Sequence, residues 1–240
     1  MSDDTLVKLA EAFVKLVGVL IWPAIVLFLA LWFRGSLKEF LSNLSELTFK
    51  GAGIEATARA RTEAVAQLTA ATASRGNAAV TPADLAQGAK AAVRVVADTV
   101  TPSVIRRAER STVLWVDDRP NNNVHERQSM EALGVNFVLA TSTEEALEKL
   151  KQRTFDAIIS DMGRPPDSEA GFTLLDKLRA EGDRTPFIIY AGARAIALRE
   201  EAKRRGASGS TNRADELFEM VLSALKRGGV PSRPTLDNLS

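Results

Sequence analysis

The chain has 240 residues and a formal net charge of +1, from 31 basic and 30 acidic side chains. This length accommodates one ordinary domain with appended segments, and the balanced charge, with no dense basic run, does not indicate nucleic-acid binding. The absence of cysteine excludes disulfides, thiolate catalysis and cysteine-ligated zinc. The single histidine, His125, excludes histidine-rich metal sites, and we expect it on the surface of a helix.

A membrane helix is the first element that the sequence predicts, at 16–33. This segment, LVGVLIWPAIVLFLALWF, carries no charge between Lys15 and Arg34. About 18 residues at roughly 1.5 Å each are just enough to cross the hydrocarbon core of a bilayer. A buried core helix and a cleaved signal peptide are the alternatives, but 1–15 is a poor signal-peptide start and no small-residue cleavage site follows. We therefore expect a single-pass anchor after a short N-terminal segment at 1–15.

Residues 34–110 are predicted to form a mostly helical connector. Its first part places five apolar residues on one helix face, which could lie on a membrane or pair with a second copy: Leu37, Phe40, Leu41, Leu44 and Leu47. The alanine-rich run at 56–73 favours a helix but is too weakly apolar to predict a core. A further helix is expected from Pro82, with Thr81 as its N-cap and Asp84 three residues later.

From residue 111 to residue 228 the pattern changes to strands that alternate with amphipathic helices. The predicted strands are Val113–Val116, Val135–Ala140, Ala157–Ile159, Phe187–Tyr190 and Ser208–Thr211. The predicted helices are Val124–Leu133, Glu144–Gln152, Phe172–Ala180, Ala195–Arg204 and Ala214–Lys226. Five such units predict an α/β fold with a doubly wound, five-stranded parallel sheet covered on both faces. Residues 229–240 are expected to form a flexible tail.

Three aspartates follow two of the predicted strands. Asp117 and Asp118 end the first strand, and Asp161 ends the third. Ligands of such sheets bind outside the carboxyl ends of the strands, so the three carboxylates should converge on one crevice. Repulsion makes that arrangement costly without a cation, and Mg²⁺ prefers carboxylate oxygen. A helix-capping role for the pair and a turn role for Asp161 are the alternatives.

The order of these motifs resembles the receiver domain of two-component response regulators, the fold of the chemotaxis regulator. Within 111–228, the acid pair in VLWVDD ends the first predicted strand and SDM ends the third. TPFIIYAG contains the fourth strand, and GASG leads into the fifth. The resemblance implies that Asp161 is the phospho-accepting residue and that Asp118 is a direct Mg²⁺ ligand. It implies a supporting role for Asp117, and a metal site completed by the backbone carbonyl of Gly163.

The chain departs from the family pattern at two positions. The hydroxyl residue that follows the fourth strand in the family is Ala191 here, although Ser210 and Thr211 are near in sequence. The family lysine after the fifth strand is replaced by Asn212 or Arg213, and Arg213 could supply the cation to phosphoryl oxygens.

Two arginines, Arg164 and Arg194, are predicted to flank the crevice, where they could bind phosphate. Solvated side chains are the default expectation for both. Tyr190, at the end of the fourth strand, is expected to pack in the core.

The favoured hypothesis is a membrane-anchored signalling protein that accepts a phosphoryl group from a histidine kinase or phosphotransfer protein. A pseudo-receiver that recognises proteins without phosphotransfer is the main alternative. A hydrolase on the same fold is weaker, because the acids form DD and not the D-x-D pattern of aspartate-based phosphatases. The anchor and connector could also bring two copies of the chain together.

Charge does not orient the predicted anchor. Lys8 and Lys15 precede it, and Arg34 and Lys38 follow it, so the positive-inside rule gives almost no preference. We expect the inner or plasma membrane, with the C-terminal domain in the cytoplasm, because magnesium and phosphoryl donors are found there.

Overall fold

A computed structural model describes residues 55–74, 81–192 and 197–227. The predicted anchor at 16–33, the segment at 1–15, the amphipathic part of the connector and the tail at 229–240 lie outside these residues. Among the residues that are described, no helix is both long and apolar enough to cross a membrane.

Five parallel strands form one sheet, in the order β2-β1-β3-β4-β5. Their bounds are Thr112–Val116 (β1), Asn136–Ala140 (β2), Ala157–Ser160 (β3), Phe187–Tyr190 (β4) and Gly209–Thr211 (β5). The predicted fold class is therefore confirmed for this part of the chain. The apolar, β-branched composition of β1, β3 and β4 fits strands that are covered on both faces.

Helices precede the sheet and connect its strands. A helix covers 55–74 (α1), and the others are Pro82–Thr99 (α2), Pro102–Ala108 (α3), Val124–Glu131 (α4), Thr143–Gln152 (α5), Ala170–Ala180 (α6), Arg199–Arg204 (α7) and Ala214–Arg227 (α8). A 3₁₀ turn at Pro120–Asn123 leads into α4. The predicted start of α2 is confirmed, because Thr81 and Asp84 form a reciprocal capping box.

Alternate residues of the strands divide the core into two layers. Val113 and Trp115 of β1 belong to the layer that contains the apolar side of α8. Leu114 and Val116 belong to the opposite layer, with residues of α5, α6 and α7. This alternation follows from the two-residue period of a strand.

The helices before the sheet contribute to its first core layer. Ala64, Leu68 and Ala71 of α1 are fully buried in the cluster that contains Val96 of α2 and Trp115 of β1. The alanine-rich run, from which the sequence predicts a helix but no core, thus takes part in the core. Small side chains permit close approach of helix backbones, so an alanine-rich face can be buried without large apolar residues.

Candidate functional site

Strand register brings the predicted acids together at the carboxyl edge of the sheet. Val116 of β1 pairs with Ser160 of β3, and the next residue on each strand is an aspartate. The Asp161 amide also donates a 2.9 Å hydrogen bond to the Val116 carbonyl, which continues the ladder by one step. Ligand atoms of Asp117, Asp118 and Asp161 consequently lie within 4.8 Å of one another.

Asp117 is the most enclosed of the three acids, with 6% of its surface exposed. One carboxylate oxygen accepts a 2.7 Å hydrogen bond from the Arg119 amide, and the other accepts one from the Asn123 side-chain amide. Both oxygens are therefore used within the protein. The contribution of Asn123 was not predicted from sequence, although an NNN run after an acid pair is a typical turn signal.

Asp118 and Asp161 are half-buried and have fewer partners. Asp118 Oδ2 lies 3.5 Å from Arg119 Nε, and that arginine side chain is largely exposed. Asp161 Oδ1 accepts a 2.7 Å hydrogen bond from the Met162 amide. Burial, and to a smaller extent the charges of Asp117 and Asp118, raise the pKa of Asp161 above its ordinary value.

A tight loop follows Asp161 and carries Gly163. Arg164 and Asp167 exchange two backbone hydrogen bonds of 2.9 and 2.8 Å, and the Asp167 carboxylate accepts a 2.6 Å bond from the Thr173 hydroxyl of α6. A Cβ atom on Gly163 would lie 3.2 Å from the Ser168 carbonyl oxygen, so the backbone is closely packed there. Hydrogen bonds within the loop and one bond to α6 thus support the loop after the third strand.

The ends of β4 and β5 carry Tyr190, Ala191 and Thr211. Tyr190 is buried in the core, as predicted, and donates a 2.8 Å hydrogen bond to the Glu126 carboxylate. Ala191, at the place of the family hydroxyl, is also buried and pairs through its amide with the Thr211 carbonyl. The Thr211 hydroxyl donates to Glu216 at 2.6 Å.

The guanidinium of Arg213 is engaged with α8. Its Nη2 atom lies 2.6 Å from Asp215 Oδ2, and its Nε atom lies 3.5 Å from Glu216 Oε1. Hydrogen bonding to Asp215 raises the pKa of Arg213 above its ordinary value. Its use as the substitute for the family lysine stays a prediction.

Two other basic side chains differ from expectation. Arg164 was expected to be solvated but is 4% exposed, so this prediction was wrong. His125 is partly buried and not simply on the surface, since its Nδ1 atom lies 2.9 Å from Gln67 Oε1 of α1. Arg194 lies outside the described residues. No local sequence signal distinguishes a buried arginine in this loop from a solvated one.

The residues present fit a divalent cation. Mg²⁺ takes oxygen ligands and is usually bound by one or two carboxylates. Asp118 and Asp161 supply such oxygens, and these lie within 4.8 Å of each other. Asp117 has both oxygens in hydrogen bonds, so it is suited to orient the site and add negative charge.

Comparison with known proteins gives a family match over the part of the chain that contains the five strands. The profile of the response regulator receiver domain family matches residues 113–216. The virulence sensor protein BvgS of Bordetella pertussis is 31% identical over an alignment of 157 residues that covers 61% of this chain. The match covers only 12% of the length of that sensor.

Solved receiver structures also align with this chain. The chemotaxis response regulator CheY4 of Vibrio cholerae is 26% identical, with 49% of this chain and 97% of that chain covered at a TM-score of 0.40. The Francisella response regulator 1452 receiver domain is 25% identical, with 49% and 98% covered at a TM-score of 0.43. On the profile match, the strand order and the acids that follow β1 and β3, residues 113–216 are a response regulator receiver domain of the two-component type.

Proposed function

We propose that this receiver domain accepts a phosphoryl group on Asp161 with the help of Mg²⁺. The convergence of three carboxylates within 4.8 Å at the open edge of the sheet carries the proposal. In the transfer, an Asp161 oxygen forms a bond to phosphorus while the bond from phosphorus to the donor nitrogen breaks. The electron pair of the broken bond stays on that nitrogen. Bound Mg²⁺ would neutralise charge on the phosphoryl oxygens.

The three acids would then have different tasks. Asp118, with the fewest internal hydrogen bonds, is the proposed direct ligand, together with Asp161 and the Gly163 carbonyl. Asp117 holds the site through Arg119 and Asn123. The raised pKa of Asp161 indicates a carboxylate whose charge is costly without a cation, so that a metal would favour its ionised, nucleophilic form.

We further propose a membrane-anchored setting, with 16–33 as the anchor and the receiver in the cytoplasm. The uncharged run between Lys15 and Arg34 supports the anchor. The donor would be a histidine kinase or a phosphotransfer protein, the classes of partner that supply phosphoryl groups to receiver domains.

The direct test is phosphorylation of the full chain by acetyl phosphate with Mg²⁺, followed by intact mass spectrometry. We expect a mass gain of one phosphoryl group in the wild type and none in Asp161→Asn. Asp176→Asn, on the exposed side of α6, is the matched control and should still be modified. Modification of Asp161→Asn to the wild-type extent would refute the assignment.

A single introduced cysteine tests on which side of the membrane the receiver lies, because the natural chain has no cysteine. Lys151→Cys introduces one thiol at a position whose side chain is 67% exposed. A membrane-impermeant thiol reagent should leave it unlabelled in intact cells and label it after permeabilisation. Labelling in intact cells would place the receiver outside the cytoplasm.

A pseudo-receiver is the second candidate, and two observations on the residues that follow β4 and β5 favour it. Ala191 offers no hydroxyl to a phosphoryl group, and the Arg213 guanidinium is paired with Asp215. This candidate expects no covalent product with acetyl phosphate and little response to Mg²⁺. The mass measurement above therefore separates the two candidates.

A further inference from the structure

A buried guanidinium lies beside the acid cluster. Arg164 is 4% exposed, and its Nη1 atom donates to the Ser160 hydroxyl at 2.7 Å and to the Asp161 carbonyl oxygen at 2.8 Å. Its Nη2 atom donates to the Thr143 hydroxyl and to the Ala170 carbonyl oxygen, both at 3.0 Å. One side chain thus joins the end of β3 to the first residues of α5 and α6.

These hydrogen bonds do not neutralise the positive charge of Arg164. All of its acceptors, which include the Val116 carbonyl oxygen at 3.5 Å, are uncharged oxygen atoms, and a buried charge is costly unless an opposite charge compensates it. Burial lowers the pKa of the guanidinium, and the nearby carboxylates oppose this effect, in decreasing order: Asp161, Asp117, Asp167 and Asp118. Three of these four belong to the acid cluster.

The hydrogen-bond geometry also limits how Arg164 can act. Nη2 has two acceptors within the protein and Nη1 has three, the third being the Val116 carbonyl oxygen at 3.5 Å, so the hydrogens of both Nη atoms are in use. The Nη atoms cannot bind a phosphoryl group without giving up these bonds, and the Nε atom, which has no hydrogen-bond partner among the described residues, is buried. It can act on the site through its charge and through the positions of the groups that it holds.

We propose that Arg164 is the resident counter-charge of the acid cluster, a positioning residue that stabilises the three carboxylates in the absence of metal and weakens the binding of a divalent cation. The first effect is attraction between opposite charges, and the second is repulsion between two cations near one another. The second effect rests on the proposed function, since it takes Mg²⁺ as the cation. The first does not.

The metal effect is tested by calorimetric titration of the full chain with Mg²⁺. Arg164→Met removes the charge, and Arg164→Lys keeps it while losing the forked hydrogen bonds. We expect the Kd for Mg²⁺ to fall about threefold or more in Arg164→Met and to stay within about twofold of the wild type in Arg164→Lys. Weaker or unchanged binding in Arg164→Met, or equal shifts in both variants, would overturn the proposal.

The counter-charge effect is tested without metal, by thermal unfolding in the presence of a chelator. A cycle of wild type, Arg164→Met, Asp161→Asn and the double variant measures the coupling between the two residues. We expect Asp161→Asn to raise the Tm more in the Arg164→Met background than in the wild type. Strict additivity would overturn the proposal.

This cycle separates failure of the inference from failure of the proposed function. If the wild type binds no Mg²⁺, the metal site is refuted, and the cycle still tests the counter-charge. If Arg164→Met does not fold alone, recovery of folding in the double variant supports the proposal. If neither folds while Arg164→Lys does, the partnership with Asp161 is refuted.

Discussion

The phenol of Tyr190 donates a 2.8 Å hydrogen bond to the carboxylate of Glu126, and both side chains are almost completely buried. The bond joins the end of β4, next to the acid cluster, to α4. The adjacent residue on α4, His125, contacts Gln67 of α1. A continuous set of contacts therefore runs from the carboxyl edge of the sheet to the helices that precede it.

Removal of that hydroxyl tests its contribution to stability. Tyr190→Phe preserves the ring that packs edge-on against Trp115 at 5.9 Å and removes the donor to Glu126. We expect the free energy of unfolding to fall by about 1–3 kcal/mol, because the buried carboxylate loses a partner. Urea unfolding with an unchanged m-value measures this loss. An unchanged midpoint would mean that the bond adds nothing to stability.

Magnesium should stabilise the folded state. A ligand that binds only the native state at ten times its Kd adds about 1.4 kcal/mol to the free energy of unfolding. We expect this gain in the wild type and in the control Asp176→Asn. Asp118→Asn should reduce it more than Asp117→Asn, because both Asp117 oxygens already accept hydrogen bonds within the protein. Thermal melts with and without Mg²⁺ measure the difference.

Unchanged melting of the wild type in saturating Mg²⁺ would contradict the metal site. Equal losses in the two acid variants would contradict the separate roles of Asp117 and Asp118.

Asp161→Asn should stabilise the metal-free protein at neutral pH. The pKa of Asp161 is raised in the folded state, chiefly by burial, so the folded protein binds that proton more tightly than the unfolded chain does. Ionised Asp161 therefore lowers the free energy of unfolding when the pH is above the folded pKa. This loss disappears when the pH is below the ordinary pKa of 3.8, because the carboxyl is then protonated in both states. The advantage of Asp161→Asn should be largest at neutral pH and shrink as pH falls through this window.

Chemical unfolding of both proteins across that pH range, with a chelator present, measures the advantage. An advantage that grows towards low pH would contradict the raised pKa.

The sheet and the acid cluster could be predicted because each depends on local sequence. Apolar runs such as Val113–Val116 specify buried strands, and the acids follow those runs directly. Once β1 and β3 are neighbours, the positions of Asp117 and Asp161 follow from register alone. Beyond the neighbouring positions of β1 and β3, which the doubly wound topology implies, no long-range contact had to be known.

The features that sequence reasoning missed depend on long-range packing. Arg164 is buried because β3, α5 and α6 pack around it. The residues next to it in the sequence do not indicate this packing. The burial of α1 depends on facing helices that approach closely, which composition does not reveal.

Glu145 should contribute stability that acid removes. Its carboxylate accepts hydrogen bonds from the Thr141 amide at 2.7 Å and hydroxyl at 2.9 Å, and it pairs with Lys149. These partners lower the pKa of Glu145 from 4.5 to about 2, and the hydrogen bond from Lys149 has the largest effect. A depressed pKa adds stability that is fully present above the unfolded value and is lost as pH falls from about 4.5 to about 2.

Glu145→Gln should therefore lower the Tm at neutral pH, and the difference from wild type should vanish near the lower end of that range. Glu148→Gln on the same helix is the matched control, because its pair with Lys151 is largely exposed and should contribute little. Equal effects of the two substitutions at neutral pH would contradict the role of the Thr141 contacts.

The packing of α1 against α2 should depend on a glycine. A Cβ atom built on Gly88 of α2 would lie 2.9 Å from Thr72 Cγ2 of α1, which is closer than real Cβ contacts. Thr72 is held in place because its hydroxyl donates a 2.9 Å bond to the Leu68 carbonyl. Alanine normally stabilises a helix interior by about 1 kcal/mol relative to glycine, but overpacking costs about 1–3 kcal/mol.

Gly88→Ala should therefore destabilise the wild-type protein and become neutral or stabilising, by up to about 1 kcal/mol, when Thr72→Ala removes the facing methyl group. The four free energies of unfolding in this cycle give the coupling between the two positions. Since the helix propensity of alanine is the same in both backgrounds, a change of sign can come only from the contact between the helices. If Gly88→Ala has the same effect in both backgrounds, α1 and α2 do not pack at this position in solution.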